Sequence, residues 1–402
     1  MGPGNRAFSR PAGRVHLVHL VHKVHSMYDY QLHNTYTAQV ADGIENLAQT
    51  ELQELGATDC VCGFRYVHFK ASARTLYRIV YRARLISRVL APLARFACPA
   101  DQDLYNAGMA IRWTDFLNAD QTFAIFANVS KSAIGHSQYA GLKLKDAVAD
   151  WFRDHTGIRP SVDPRDPDLW LHLHIHEDVG TISLDVSGGS MHRRGYRVQS
   201  VEAPMNETVA AAIIRMSGWD GKSPLIDPLC GSGTILCEAF MHATNLPAGL
   251  LRRKFGFNRL PDFNPRLWDL ELAAETTVEL EADLRGSDID PVAVEATRTN
   301  MSRLPGGDEV IVGRRDFFER SDMTGTTIIC NPPYGIRLGK SDDMAPWFKM
   351  FGDHLKRQCS GSTAYVYFGD RAWLKCIGLK PEWKKPLKNG GLDGRLAKFV
   401  LY

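Results

Sequence analysis

The chain has 402 residues, 44% of them hydrophobic and 23% charged, with a net charge of +3. At about 100–200 residues per domain, this length predicts two or three domains with ordinary cores, and the near-neutral charge excludes a chain that is basic over its whole surface, so any nucleic-acid surface is local. The eight cysteines show no paired C-x-x-C zinc pattern, no apolar run approaches the roughly 18 residues of a membrane span, and the first stretch lacks the apolar core of a signal peptide, so reduced thiols, no metal centre, no membrane and a cytoplasmic location are expected.

Residues 1–36 differ from the rest, with Pro3, Pro11 and histidines at His16, His19, His22 and His25. A metal cluster there would need a supporting fold behind it. The segment is read as a disordered leader, with Met27 as an alternative start.

Order is expected from about Tyr36. Thr37–Val40 reads as a strand, Ile44–Leu55 as a helix stopped by Gly56, and Phe64–Phe69 as a second strand. The spacing over Leu76–Leu90 predicts a helix whose polar face carries Arg78, Arg82, Arg84 and Arg88. That face is either solvated or part of an RNA surface. These elements make up a unit over 37–95. A second unit, 96–190, has strand Thr122–Val129, helix Gln138–Phe152, and strands Leu171–Ile175 and Thr181–Val186 about a turn at Glu177–Gly180. That alternation suits a small α+β fold. Gly188-Gly189-Ser190 reads as the linker.

The third unit, 191–402, alternates short apolar strands with helices. Leu225-Ile226 leads to a glycine turn and a helix over Thr234–His242, and Leu284–Ser287 leads to Pro291–Met301. Glu309–Val312, Thr326–Cys330, Thr363–Phe368 and Lys398–Leu401 complete the strands. The pattern predicts an α/β fold with a mostly parallel, doubly wound, Rossmann-like sheet.

Three motifs sit where that fold binds ligands. In Asp227-Pro228-Leu229-Cys230-Gly231-Ser232-Gly233-Thr234, glycines let the backbone approach a ligand and the following helix start can hold an anion. Leu236 stands where a dinucleotide fingerprint has its third glycine, and no Gly-Lys-Ser/Thr follows, which argues against NAD and nucleoside triphosphates. The motif is either a tight structural turn or a seat for S-adenosylmethionine, whose anion is its amino-acid carboxylate and whose ammonium group Asp227 can pair with. In Gly286-Ser287-Asp288-Ile289-Asp290-Pro291, Asp288 can accept both ribose hydroxyls, while Asp290 reads as a helix cap before Pro291. Asp316 is either an acceptor for the adenine amine or a surface-loop aspartate.

Asn331-Pro332-Pro333-Tyr334 is the most specific of the three. The prolines stiffen a strand end. The Asn331 amide oxygen and the Pro332 carbonyl can both accept from one NH2 group, and Tyr334 can stack on a base. This chemistry serves any exocyclic base amine. The base must be single-stranded or flipped out of a duplex. A basic stretch, His192-Arg193-Arg194-Gly195-Tyr196-Arg197, suits phosphate contact and stacking, and His136, Gln138, Lys143, Lys145 and Arg159 extend the expected RNA surface.

With these residues in view, the chain resembles the THUMP-domain RNA methyltransferases, and among them the large-subunit rRNA guanine-N2 methyltransferases of the RlmL type. The resemblance rests on Gln138–Asp146, Arg159–Asp163, Leu184–Arg197, Glu202–Met205, Asp227–Thr234, Gly286–Pro291, Asn331–Arg337 and Leu387–Leu392, and covers about 37–402. It implies a ferredoxin-like segment, a THUMP module that grips RNA and a class I methyltransferase domain. It further implies guanine N2 as acceptor, 23S rRNA or a precursor large-subunit particle as partner, and a cofactor role for Glu202 and Pro204 beside Pro228, Cys230, Ser232, Thr234 and Ile289. No obligate protein partner is expected. Asn206 stands where a lysine is common and Gly189 where a glutamate is common. The alternatives are a tRNA guanine-N2 methyltransferase and a catalytically silent RNA-binding assembly factor.

Overall fold

A computed structural model describes residues 27–202, 204–274, 276–333 and 344–402. In chain order the first half comprises α1 (Asp29–His33), β1 (Thr35–Val40), α2 (Glu45–Glu54), β2 (Thr58–Gly63), β3 (Tyr66–Lys70), α3 (Ala73–Arg82), β4 (Ile86–Ala97), α4 (Asp101–Ala110), β5 (Thr122–Ser130), α5 (Ser137–Thr156), β6 (Ser161–Val162), β7 (Leu169–His176) and β8 (Val179–Asp185). The second half comprises α6 (Glu207–Ser217), β9 (Leu225–Asp227), α7 (Thr234–Ala243), α8 (Pro265–Ala273), β10 (Leu284–Asp288), α9 (Pro291–Met301), β11 (Ile311–Arg314), β12 (Thr327–Cys330), α10 (Ala345–Gln358), β13 (Thr363–Phe368), β14 (Trp383–Pro386) and β15 (Arg395–Val400).

Among the described residues the strands form two sheets. The first has the order β2-β3-β1-β4-β8-β7-β5-β6, and the second β11-β10-β9-β12-β13-β15-β14. In the second, β9 to β13 run parallel and β15 pairs antiparallel with β13 and β14. Ile226, Ile328, Ile329 and Val366 are buried, as strands covered by helices on both faces require. The doubly wound α/β fold expected of this half is present. Among the described residues no helix is long and apolar enough to cross a membrane.

Two expectations change. Tyr28 to Asn34, assigned to the leader, are folded: Tyr30 in α1 is fully buried against Tyr36, and its hydroxyl donates to Asp262 at 2.6 Å. The histidine repeat at 16–25 lies outside the described residues. Leu76–Leu90 is not one helix. Ser72 caps α3, the chain turns extended at Ala83, and Ile86 begins a strand. The run Ile86, Val89, Leu90 fits either period, and the open edges of β1 and β8 decide for the strand.

That reassignment places the arginines. Arg74 and Arg78 both pair with the buried Glu271 of α8, at 3.1 and 2.8 Å. Arg84 donates to the carbonyls of Met241 and Leu246, and Arg82 to that of Asn245. Arg88 pairs with Asp185. These residues, of which Arg78, Arg82, Arg84 and Arg88 are expected from the sequence on a solvated face or an RNA surface, fasten the N-terminal module to the second sheet's helices and to β8. Tyr77 of α3 completes the joint, its ring 4.6 Å from Phe257 and its hydroxyl accepting from the backbone of Asn264.

Candidate active site

The second sheet's parallel strands end at one rim, and three sequence motifs meet there. β9 closes on Asp227, buried, whose carboxylate accepts the backbone N–H of Leu229 at 3.1 Å. The chain then turns sharply, with Gly231 and Gly233 at φ of 55° and 79°. At Gly233 a side chain is excluded twice: φ is left-handed, and an added Cβ would lie 2.7 Å from Thr297 Cγ2. Gly233 immediately precedes α7, so the helix's first N–H groups face the rim without a side-chain cap.

Asp288, at the end of β10, anchors this turn. One carboxylate oxygen accepts the N–H of Gly231 at 2.9 Å and the other that of Asp290 at 3.1 Å. Two residues that sequence reasoning missed complete the support. Thr297 donates to the Gly231 carbonyl at 2.8 Å, and Asn300 donates to the carbonyls of Ser232 and Gln199. Both are buried polar residues three apart on α9, a spacing that puts them on one face. Asp290 caps α9, as read from Pro291. Ile289 is exposed beside it. Asp316 caps the short helical turn Phe317–Glu319, accepting from Phe318 at 2.9 Å.

Asn331 follows β12 and is 8% exposed. Its amide oxygen is buried and has no hydrogen-bond partner among the described residues. An orphaned buried acceptor costs about 1–3 kcal/mol unless a ligand donates to it. Pro332 is buried and Pro333 half-buried, while Tyr334 lies outside the described residues. Burial, with Asp227 nearby, raises the Cys230 and Cys330 thiols well above their usual value, so both stay protonated and supply no nucleophile.

A cleft of about 760 Å³ opens beside the start of α7, lined by His192, Arg193, Arg197, Pro204, Asn206 and Asn389 among others. Arg197 forms its wall: it donates to the Met205 carbonyl at 2.7 Å and the Thr234 hydroxyl at 2.9 Å, and pairs with Glu207 at 3.2 Å. It ties the 204–206 segment to the helix start. Glu202, two residues before that segment, is exposed. Asn206 caps α6, and its backbone N–H donates to Asn389 on the loop between β14 and β15.

The expected RNA surface is divided. Arg193 is exposed at the cleft mouth. Arg194 is 1% exposed and is not an RNA contact; it pairs with Glu238 in the core, and Tyr196 beside it is fully buried too. Its glycine neighbour turns the chain inward, which a run of alternating arginines does not reveal. Burial first, then the surrounding Arg193, Arg194, Arg197 and Arg88, depress His192 to about 4. On the other module, His136, Gln138 and Arg159 are exposed, whereas Lys143 pairs with Asp101 and Lys145 with Asp146.

The residues fit S-adenosylmethionine. A turn that admits no side chain, uncapped helix N–H groups and a strand-end carboxylate at Asp288 supply the complementary groups. Comparison with known proteins agrees. Residues 35–90 match the RlmL ferredoxin-like domain, 100–185 the THUMP domain and 194–398 the RMKL-like methyltransferase domain. A Synechocystis sp. protein provisionally named an RNA methyltransferase, slr0064, is 38% identical over 91% of this chain and 97% of its own length. The ribosomal RNA large subunit methyltransferase K/L of Photobacterium profundum is 34% identical over 92% of this chain. The chain spans about half the length of that relative, 53%. The crystal structure of SMU.472, provisionally named a methyltransferase and complexed with SAH, superposes with a TM-score of 0.79 at 26% identity, covering 92% of this chain and 98% of that one. With its ferredoxin-like, THUMP and catalytic modules in this order, the chain belongs to the RMKL-like family of S-adenosylmethionine-dependent RNA methyltransferases.

Proposed function

We propose that the protein methylates the exocyclic N2 amine of a guanine in 23S rRNA, in the cytoplasm, to give N2-methylguanosine, on naked rRNA or a precursor large-subunit particle. The buried amide oxygen of Asn331 at the end of β12, without a partner among the described residues, carries the reading. When bound, S-adenosylmethionine supplies an electrophilic methyl group on sulfur. Asn331 and the Pro332 carbonyl would accept the two amine hydrogens and hold the nitrogen in position for transfer. Pro332 and Pro333 hold those acceptors rigid. The Gly231–Thr234 turn and Asp227 would hold the cofactor's amino-acid end, and Asp288 its ribose. Asp316, Glu202 and Pro204 border the remainder. A flipped base enters through the 760 Å³ cleft, whose Arg193 meets the backbone. The large-subunit rRNA named for the K/L relatives supports that RNA as the substrate, and guanine N2 rests on the resemblance of the sequence motifs.

Nucleoside mass spectrometry tests this. Purified protein with labelled S-adenosylmethionine is offered unmodified large-subunit rRNA, tRNA and DNA separately. Labelled N2-methylguanosine confined to the rRNA is expected. Label in tRNA would move the substrate, and N6-methyladenosine in DNA would overturn the acceptor. Asn331→Ala should lower kcat by roughly 100-fold or more while RNA affinity holds; full activity in that variant would remove Asn331 from the mechanism.

A further inference from the structure

The eight-stranded sheet buries one face and opens the other. Ala38, Val67, Val89, Leu184 and Leu171 lie inward under the helices. Helix α5 is on this side too, since an added Cβ on Gly141 would meet Ala127 at 3.5 Å. Residues of the opposite face line up in cross-strand rows. Phe126, His172, Ser183 and Pro92 form one, and Asn128, His174, Thr181 and Arg95 the next. Ser130 and His176 follow, and Tyr66 and His68 lie on the far flank.

This face is rich in rings. Phe126 and His172 stack at 5.7 Å, His174 and His176 at 6.3 Å, and Tyr66 sits 4.5 Å from His68. Phe126 is 47% exposed, and His174, His176 and Arg95 are exposed. A single exposed phenylalanine needs no explanation. One flanked by imidazoles, with a cation in the next row that has no carboxylate partner among the described residues, is a patterned surface. The face is cupped, because Gln39 on β1 reaches His172 on β7 at 3.0 Å across two intervening strands. Its floor leads to the cleft at His192. Arg88 lies over both Phe126 and Trp170, at 5.9 and 5.2 Å. An added Cβ on Gly189 would lie 3.3 Å from Trp170 Nε1, and Ser190 then bonds to His192 in the cleft wall.

We propose that this cupped face is a track for single-stranded RNA, with bases stacked on Phe126 and His174 and a phosphate held by Arg95, running past Trp170 into the cleft at His192. The inference rests on the RNA methyltransferase reading and names the surface that delivers the strand. Ring faces accept any base, so the track is tolerant of sequence and leaves selection to the cleft. It lies on the opposite side of the sheet from α5, and His136, Gln138, Lys143 and Lys145 are not part of it.

Fluorescence anisotropy of the full chain with a labelled single-stranded RNA of about 12 nucleotides tests the track. Phe126→Ala combined with Arg95→Ala should weaken binding ten- to a hundredfold. Phe126→Tyr, which keeps the ring, should stay within about twofold of wild type. Both changes are at exposed positions, and matching thermal melts verify folding. Wild-type affinity in the double variant would overturn the track, as would equal losses in Phe126→Ala and Phe126→Tyr. The mass-spectrometric assay is independent: label in RNA with unchanged binding by the double variant leaves the enzyme reading standing and removes only this surface.

Discussion

Arg194 Nε lies 3.3 Å from Glu238 Oε1, with both side chains sealed from water. The guanidinium also donates to the carbonyls of Met191 and Arg84, and Tyr196 donates to the same carboxylate at 3.0 Å. The junction between modules is thereby fixed by a buried ion pair. Arg194→Ala should cost about 3–5 kcal/mol in urea unfolding, since it strands a buried carboxylate. Glu238→Gln in the same background should recover part of that loss. A surface arginine would cost less than about 0.5 kcal/mol, which would refute this placement.

Arg193 is exposed one residue away. Arg193→Ala should leave stability unchanged and lower the slope of log K against log salt for RNA binding by about 0.7–0.9. An unchanged slope would place the phosphate contacts elsewhere.

Gly233→Ala tests the cofactor turn. At φ 79° with Thr297 Cγ2 2.7 Å from the new Cβ, the substitution should cost about 1–2 kcal/mol and weaken SAH binding by about tenfold, read by isothermal titration calorimetry. Native SAH affinity in a folded variant would mean the turn does not seat the cofactor.

His172 predicts a pH dependence. The Gln39 amide donates to its Nε2, so the ring is neutral when folded. Burial, then His174 and Arg88, lower it from 6.5 to about 4. The unfolded chain takes up this proton first, so the stability is present above about pH 6.5 and declines as pH falls toward 4, by at most about 3 kcal/mol. His172→Gln should flatten the fall in Tm between pH 7 and 4. An unaltered pH profile would show that other groups govern it.

Much of this was legible in the sequence because the catalytic half is built from local signals. Pro291–Met301 and Thr363–Phe368 have the bounds that capping and β-branched runs predict. Helices α4, α6, α8 and α10 were not anticipated, and their cores are set by packing against other elements. Charge patterning misled most. Arg78, Arg84 and Arg194 look like a basic surface in one dimension, yet each finds its carboxylate or carbonyl far along the chain. Thr297 and Asn300 carried no motif, because their partners are backbone carbonyls of a loop folded onto α9.

Strand β4 belongs to both N-terminal modules, pairing with β1 on one edge and β8 on the other, and the expected boundary at 95/96 falls within it. The two cannot hinge without breaking that ladder, and Arg74 and Arg78 pin their common frame to α8. The molecule is thus a caliper with a fixed gap. With the RNA track proposed above on one jaw and the cleft on the other, distance along the folded RNA would be a criterion of choice alongside base identity.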